Sequence, residues 1–241
     1  MIDILNIKMT LPSIIDHIYI LCNKTKEPER AAFLTRWFGS SGIPESKYTY
    51  LSVCYGDTLS PEQAWKVYNP WNKQRPNHFR SHDSYNMKLS EISLCINWAA
   101  AAAEAVKANH KVVMIWESDV LPNSEFLEKL HQSMAILETK QGDNWDFLSL
   151  SAGAKLRPNR PANETHLDWF PVKNYYHTRT ADAMILRVDM LKKILSTYFP
   201  VAEVLDWELN FHLSIHKSRS FWLDPPIIEQ GSGSGVYPTT L

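Results

Sequence analysis

Residues 111–116, KVVMIW, carry after Lys111 an unbroken apolar run of β-branched character that ends against Glu117-Ser118-Asp119. A strand without polar alternation must be covered on both faces, so this run predicts an internal strand of a sheet flanked by helices. The rest of the chain alternates in the same sense. Residues 16–22, DHIYILC, read as a first buried strand, and Pro28 opens a helix with Ala31, Phe33, Leu34, Trp37 and Phe38 on its apolar face before Gly39 and Gly42 stop it. Residues 48–53 are the next strand. Ile92, Cys95, Ile96, Ala99, Ala103 and Val106 then follow helical spacing behind Ser90 as the expected N-cap. A helix over 125–137, strands over 144–150 and 183–187 and a helix from Met190 complete an α/β pattern.

With 241 residues, 44% of them hydrophobic and 21% charged, the chain has enough apolar material for one folded domain. The expected division is an N-terminal extension over 1–12 and a single domain over 13–241. Residues 58–89 are rich in Pro, Asn, Gln, Arg, His and Trp without a sustained period, which reads as a long excursion, either lining a site or a disordered insertion. Lys and Arg (25) balance Asp and Glu (26), so no overall field favours nucleic acid or an anionic membrane. No apolar run reaches the length of a membrane span, and the N-terminus lacks the pattern of a secretory signal. Cys22, Cys54 and Cys95 form neither a disulfide framework nor a CxxC pair. A cytoplasmic location is therefore expected, with the sequon at Asn163 unread.

The acids after residues 111–116 are the first chemical candidates, because open α/β sheets place ligands beyond the carboxyl ends of their strands. Glu117 and Asp119, spaced i and i+2, converge on a hard cation if the chain turns there, leaving positions open for phosphate oxygens. The bland alternative is that they only end the strand and cap a helix near Pro122. A second acidic group, with Glu203 and Asp206 expected on one helix face and Glu208 beside them, is a candidate source of a general base. The pairs His78/His82 and His212/His216 lack the glutamate of HExxH, so they read as supporting histidines and not zinc ligands. Trp37 and Trp116 fall in apolar patterns, whereas Trp65, Trp71 and Trp169 are expected in polar loops, where an indole face can stack on a sugar ring.

Seven segments, YILCNKTKEPER, SEISLCINWAAAAAEAV, VVMIWESDVLPNSEFLEKL, NWDFLSLSAG, ADAMILRVDMLKKIL, VLDWEL and DPPIIEQGSGSG, occur in an order that resembles glycosyltransferase family 25. That family includes bacterial lipooligosaccharide galactosyltransferases and the collagen galactosyltransferases. The resemblance runs from about Ile18 to Gly235 and implies a GT-A fold, a Rossmann-type mixed sheet with a nucleotide-sugar over its carboxyl edge. It implies a hexosyltransferase, with a UDP-linked donor and a glycan acceptor expected, and manganese or magnesium held by Asp119 and Glu117. The family's Glu-Asp-Asp corresponds to Glu117-Ser118-Asp119. Asn23, Lys24, Arg30, Glu91 and Ser118 are the expected donor-side residues, although Arg30 alone also reads as a solvated helix residue. Inversion is the implied outcome, with Asp206 preferred over Glu208 as base.

The chain departs from the family at Ser118, at Asn97-Trp98 where Ser-His is usual, and at Glu229-Gln230 where collagen-type members carry His. The last departure leaves the third metal ligand unassigned; Ser118 and Asn97-Trp98 favour the alternative of an inactive nucleotide- or glycan-binding relative, whereas Glu117, Asp119 and Asp206 favour activity. A metal-dependent phosphohydrolase is a weaker third class. The run 231–235, GSGSG, reads either as a loop folding over a diphosphate or as a bare linker.

Overall fold

The computed structural model describes residues 9–72, 75–80, 86–152, 156–161 and 163–238. Its first half contains β1 (His17–Leu21), α1 (Pro28–Ser41), β2 (Tyr48–Leu51), α2 (Pro61–Val67), α3 (Leu89–Lys107), β3 (Val112–Glu117), β4 (Val120–Pro122) and α4 (Phe126–Gln141). The second half adds β5 (Phe147–Ser149), β6 (Asp168–Pro171), β7 (Ala183–Arg187), α5 (Val188–Leu195), α6 (Leu205–Ile215), β8 (Ser220–Asp224) and β9 (Ile228–Gln230). The expected mixed α/β architecture is present, as one seven-stranded sheet in the order β2-β1-β3-β7-β5-β8-β6 with helices on both faces.

The apolar run of β3 is explained by this double cover. Val112, Met114 and Trp116 pack into the core beneath α1 and α4, while Val113 and Ile115 pack into the opposite core with α3, α5 and α6. Pro28 occupies the first turn of α1, and Gly42 ends it at φ 73°, a left-handed conformation that glycine adopts without a Cβ clash. The start of α3 is two residues earlier than expected. Lys88 is its N-cap and donates its N–H to Glu91 Oε2 (2.7 Å), while Ser90 lies inside the first turn.

Register decides where the sheet's chemistry lies. β1 runs parallel to both β2 and β3, pairing Leu21 with Leu51 and with Glu117, so three strands end at one edge. The chain leaves β1 to one side for β2 and returns to the other for β3, which makes that edge a topological switch point. β7 is antiparallel to β3 and pairs Ala183 with Trp116, so its amino end meets the carboxyl end of β3. A separate ribbon pairs β4 with β9, Val120 opposite Gln230, and carries residues 231–235 to Asp119.

Several expectations are corrected. Residues 120–122 are a strand and the next helix starts at Phe126, so Glu117 and Asp119 do not cap a helix near Pro122. The excursion over 58–89 is not featureless: Ser60 and Gln63 form a capping box at the start of α2, and a 3-10 turn spans Asn77–Phe79. Val201 N–H donates to Val67 O (2.8 Å) and Asn69 N–H to Val201 O (2.7 Å), tying the excursion to the body. His82 lies outside the described residues. Trp169 is not in a loop but is buried in β6, its indole N–H donating to Ser133 O (2.7 Å). Glu203 precedes α6 and shares no helix face with Asp206. Of the expected N-terminal extension, residues 1–8 lie outside the described residues, and Leu11 is part of the core. Among the described residues, no helix is long and apolar enough to cross a membrane.

Candidate active site

Two clefts open at the carboxyl edge of β3 and share Leu94, Glu117 and Gln230. The first takes its walls from the ends of the three parallel strands, with Asn23, Arg30, Tyr55, Asn97, Ser118 and Asp119 among its lining residues. The second is lined by Glu91, Thr180, Ala181, Val204, Leu205 and Asp206. Asp119 thus faces one cleft, Asp206 the other, and Glu117 both.

The carboxylates at this junction repel one another in a poorly hydrated setting. Burial pushes Glu117 well above the ordinary range, and the charges of Asp119, Asp182 and Asp206 push it further. Asp206 is pushed up to about 6 by burial, with the Trp207 N–H (3.0 Å from Oδ1) acting in the opposite direction. Asp182, fully buried, is also raised by burial; its Oδ1 accepts from Ser151 Oγ (2.7 Å) and from the Thr180 hydroxyl, and its Oδ2 has no hydrogen-bond partner. The sequence reading missed Asp182 because it precedes a strand. The one available signal was the Asp before the AMILR run.

Asp119 is 4% exposed and held on one side only. Its Oδ2 accepts from Ser232 N (3.2 Å) and from the Ser232 hydroxyl, its backbone oxygen accepts from Gly231 N (2.7 Å), and its buried Oδ1 has no partner. A Cβ on Gly231 would come within 2.8 Å of Asp119 O and 2.5 Å of Tyr237 Cδ2, so the close approach requires glycine. Residues 231–235 are therefore packed against the acid and are not a bare linker. A buried carboxylate oxygen without a donor, beside a second carboxylate, fits a hard divalent cation. Among the described residues, no three His, Cys, Asp or Glu side chains form a ready-made metal cage, so such an ion would draw further oxygens from a ligand or water.

Arg30 is buried, not solvated. Its Nη1 donates to Glu27 Oε1 (3.0 Å) and Ser118 Oγ (2.9 Å), its Nη2 donates to Pro238 O (2.6 Å), and its guanidinium lies 5.2 Å from the Tyr237 ring centroid. Ser118 in turn donates to Glu27 Oε1 (2.5 Å). A carboxylate thus stands one hydrogen bond from the motif's middle position, supplied by Glu27, which sequence reasoning did not single out. Asn23 sits on the cleft wall, where its Oδ1 accepts from the N–H groups of Thr25 (3.1 Å) and Lys26 (3.2 Å) and shapes the turn into α1. Asn97 accepts from Val53 N (2.8 Å) and Cys54 N (3.2 Å) and donates to Cys54 O (2.9 Å), pinning the turn after β2, while Trp98 is fully buried.

The remaining candidates separate. Lys24 is exposed, with its ammonium 4.3 Å from the Tyr50 ring centroid, and lines neither cleft. Glu91 reaches the second cleft but spends Oε2 on the cap of α3. Glu208 is fully buried away from both clefts: it pairs with Arg75, contacts His212 Nε2 (3.0 Å), and accepts from Ala202 N (3.0 Å) and Glu203 N (3.1 Å). His212 and His216 both meet Thr197 Oγ1 at 3.0 Å, which makes them part of this packing network. Glu208→Ala should cost about 3–5 kcal/mol, because it strands the Arg75 charge in the interior. Urea unfolding checks this, and a change below about 1 kcal/mol would mean that the network is not structural.

No family model matches the chain, and no curated protein is similar to it. Among solved structures, it is similar to the crystal structure of A197 from STIV, with a TM-score of 0.45 and 15% identity over 91% of this chain and 82% of that one.

Proposed function

We propose that the protein is a glycosyltransferase that moves a sugar from a nucleotide-sugar, UDP-linked in our reading, to a glycan hydroxyl with inversion. The observation that carries this reading is the pair of clefts joined at Glu117, with a partly unpartnered Asp119 in one and a lone Asp206 in the other. In this scheme the first cleft holds the donor and the second the acceptor. Asp206 takes the proton from the acceptor hydroxyl as its oxygen bonds to the anomeric carbon, and the bond to the diphosphate breaks with its electron pair leaving on the nucleoside diphosphate. Asp119, with Glu117 beside it, would hold a manganese or magnesium ion, which when bound neutralises charge on the leaving diphosphate. Arg30 acts by fixing Ser118 and Glu27, and so shapes the wall next to Asp119.

A panel of nucleotide-sugars, each with manganese or magnesium, tests the proposal through thermal shift and donor hydrolysis. One donor is expected to raise the melting temperature only with metal and to be hydrolysed slowly without acceptor. Binding without hydrolysis or transfer would favour the inactive relative, a reading supported by Ser118 in place of a carboxylate. No binding by any donor would sink the transferase and the nucleotide-binding relative alike.

A further inference from the structure

Two tryptophans on the excursion stand outside both clefts and outside the core. Trp65, on α2, is 56% exposed, and Trp71 is 63% exposed. Their ring planes lie 4° from parallel with centroids 5.9 Å apart, and Trp65 rests on the buried ring of Tyr68 at 5.7 Å. Isolated exposed apolar residues need no explanation, but two parallel indoles held in place form a built surface.

They are held by backbone. Asn69 Oδ1 accepts from Trp71 N (3.1 Å), and the same residue's N–H donates to Val201 O. Arg80 donates to Pro70 O (2.7 Å) and Asn72 O (2.9 Å), closing the segment around Trp71. Little freedom of the supporting chain is left to lose when a ligand lands there, which favours binding by a small rigid face.

We infer that Trp65 and Trp71 form a saccharide-binding platform that stacks against the apolar face of a neutral pyranose ring, at a place separate from the proposed donor and acceptor clefts. Size favours this occupant over a protein. At about 250 Å² for a whole indole, the two rings offer roughly 300 Å², well below the ~800 Å² per partner of a stable protein interface. Charge agrees at Trp65, where the exposed Lys66 and Glu62 pair with each other at 3.6 Å. Polar groups beside two exposed indoles also suit a ring that carries hydroxyls on its edge.

The test is binding to an array of immobilised microbial and mammalian glycans by the wild type, W65A/W71A and W65F/W71F. Both positions are exposed, so all three proteins should melt alike. The alanine pair is expected to lose at least about tenfold in apparent affinity, while the phenylalanine pair stays within about threefold because a ring face remains. Donor hydrolysis should be equal in all three, so a failure of the transferase reading shows as absent hydrolysis with glycan binding intact. The platform is overturned if W65A/W71A binds the same glycans at wild-type strength or if the wild type binds none. A wild-type dimer that the alanine pair converts to monomer also overturns it, since the surface would then be a self-interface.

Discussion

Asp119→Ala is expected to lower metal-dependent donor hydrolysis by at least about 10²- to 10³-fold, the rate equivalent of several kcal/mol of charge stabilisation by a divalent ion. The magnitude follows from the position of the side chain. Its Oδ1 is buried without a partner, while Oδ2 is held by Ser232, so one oxygen is oriented and the other is left for a ligand. The backbone contact from Gly231 to Asp119 O does not depend on the side chain and should keep the 231–235 loop in place. The metal-dependent rise in melting temperature with the donor should vanish along with activity. Hydrolysis at the wild-type rate in this variant would remove the metal from the proposal.

Asp206→Asn is expected to leave donor binding intact and to reduce transfer by about 10²- to 10⁴-fold, the usual contribution of a positioned general base. In the wild type, Asp206 must be ionised to accept a proton, and burial holds its carboxyl at about 6. The rate should therefore fall tenfold per pH unit below about 6 and level off above it. The stability effect has the opposite sign. An Asp whose folded value lies above its unfolded value binds more protons when folded, so its contribution to stability is full below about 3.8 and is lost as pH rises through about 6. At neutral pH the asparagine variant, which avoids burying a charge, should melt above the wild type. Transfer by this variant at the wild-type rate, or a pH profile without a step near 6, would take the base role from Asp206.

The contrast between Asp206 and Glu208 bears on what a sequence can convey. The two acids are two residues apart on the first turn of one helix, and only the family resemblance favoured Asp206, yet one lines a cleft and the other neutralises Arg75 in the interior. Local pattern cannot separate them, because the partner that consumes Glu208 comes from a distant segment whose own pattern reads as irregular. Arg30 was ambiguous for the same reason. A basic residue in a first helical turn reads as solvated until the tail, through Pro238 and Tyr237, closes over it.

Short strands were the other loss. β6, β8 and β9, of three to five residues each, take their ladder bonds from neighbours elsewhere in the chain, which no local pattern announces.

By itself the sequence determined the α/β class, the central double-covered strand and the acids at its end, because hydrophobic period and strand termination are local properties of the chain. Only the tertiary structure decided which other groups meet those acids. Asp182 arrives because β7 runs antiparallel to β3, Glu27 because Ser118 and Arg30 reach it, and Ser232 because β9 pairs with β4. Register and strand direction are set by burial summed over the whole sheet, so no short stretch of sequence encodes them.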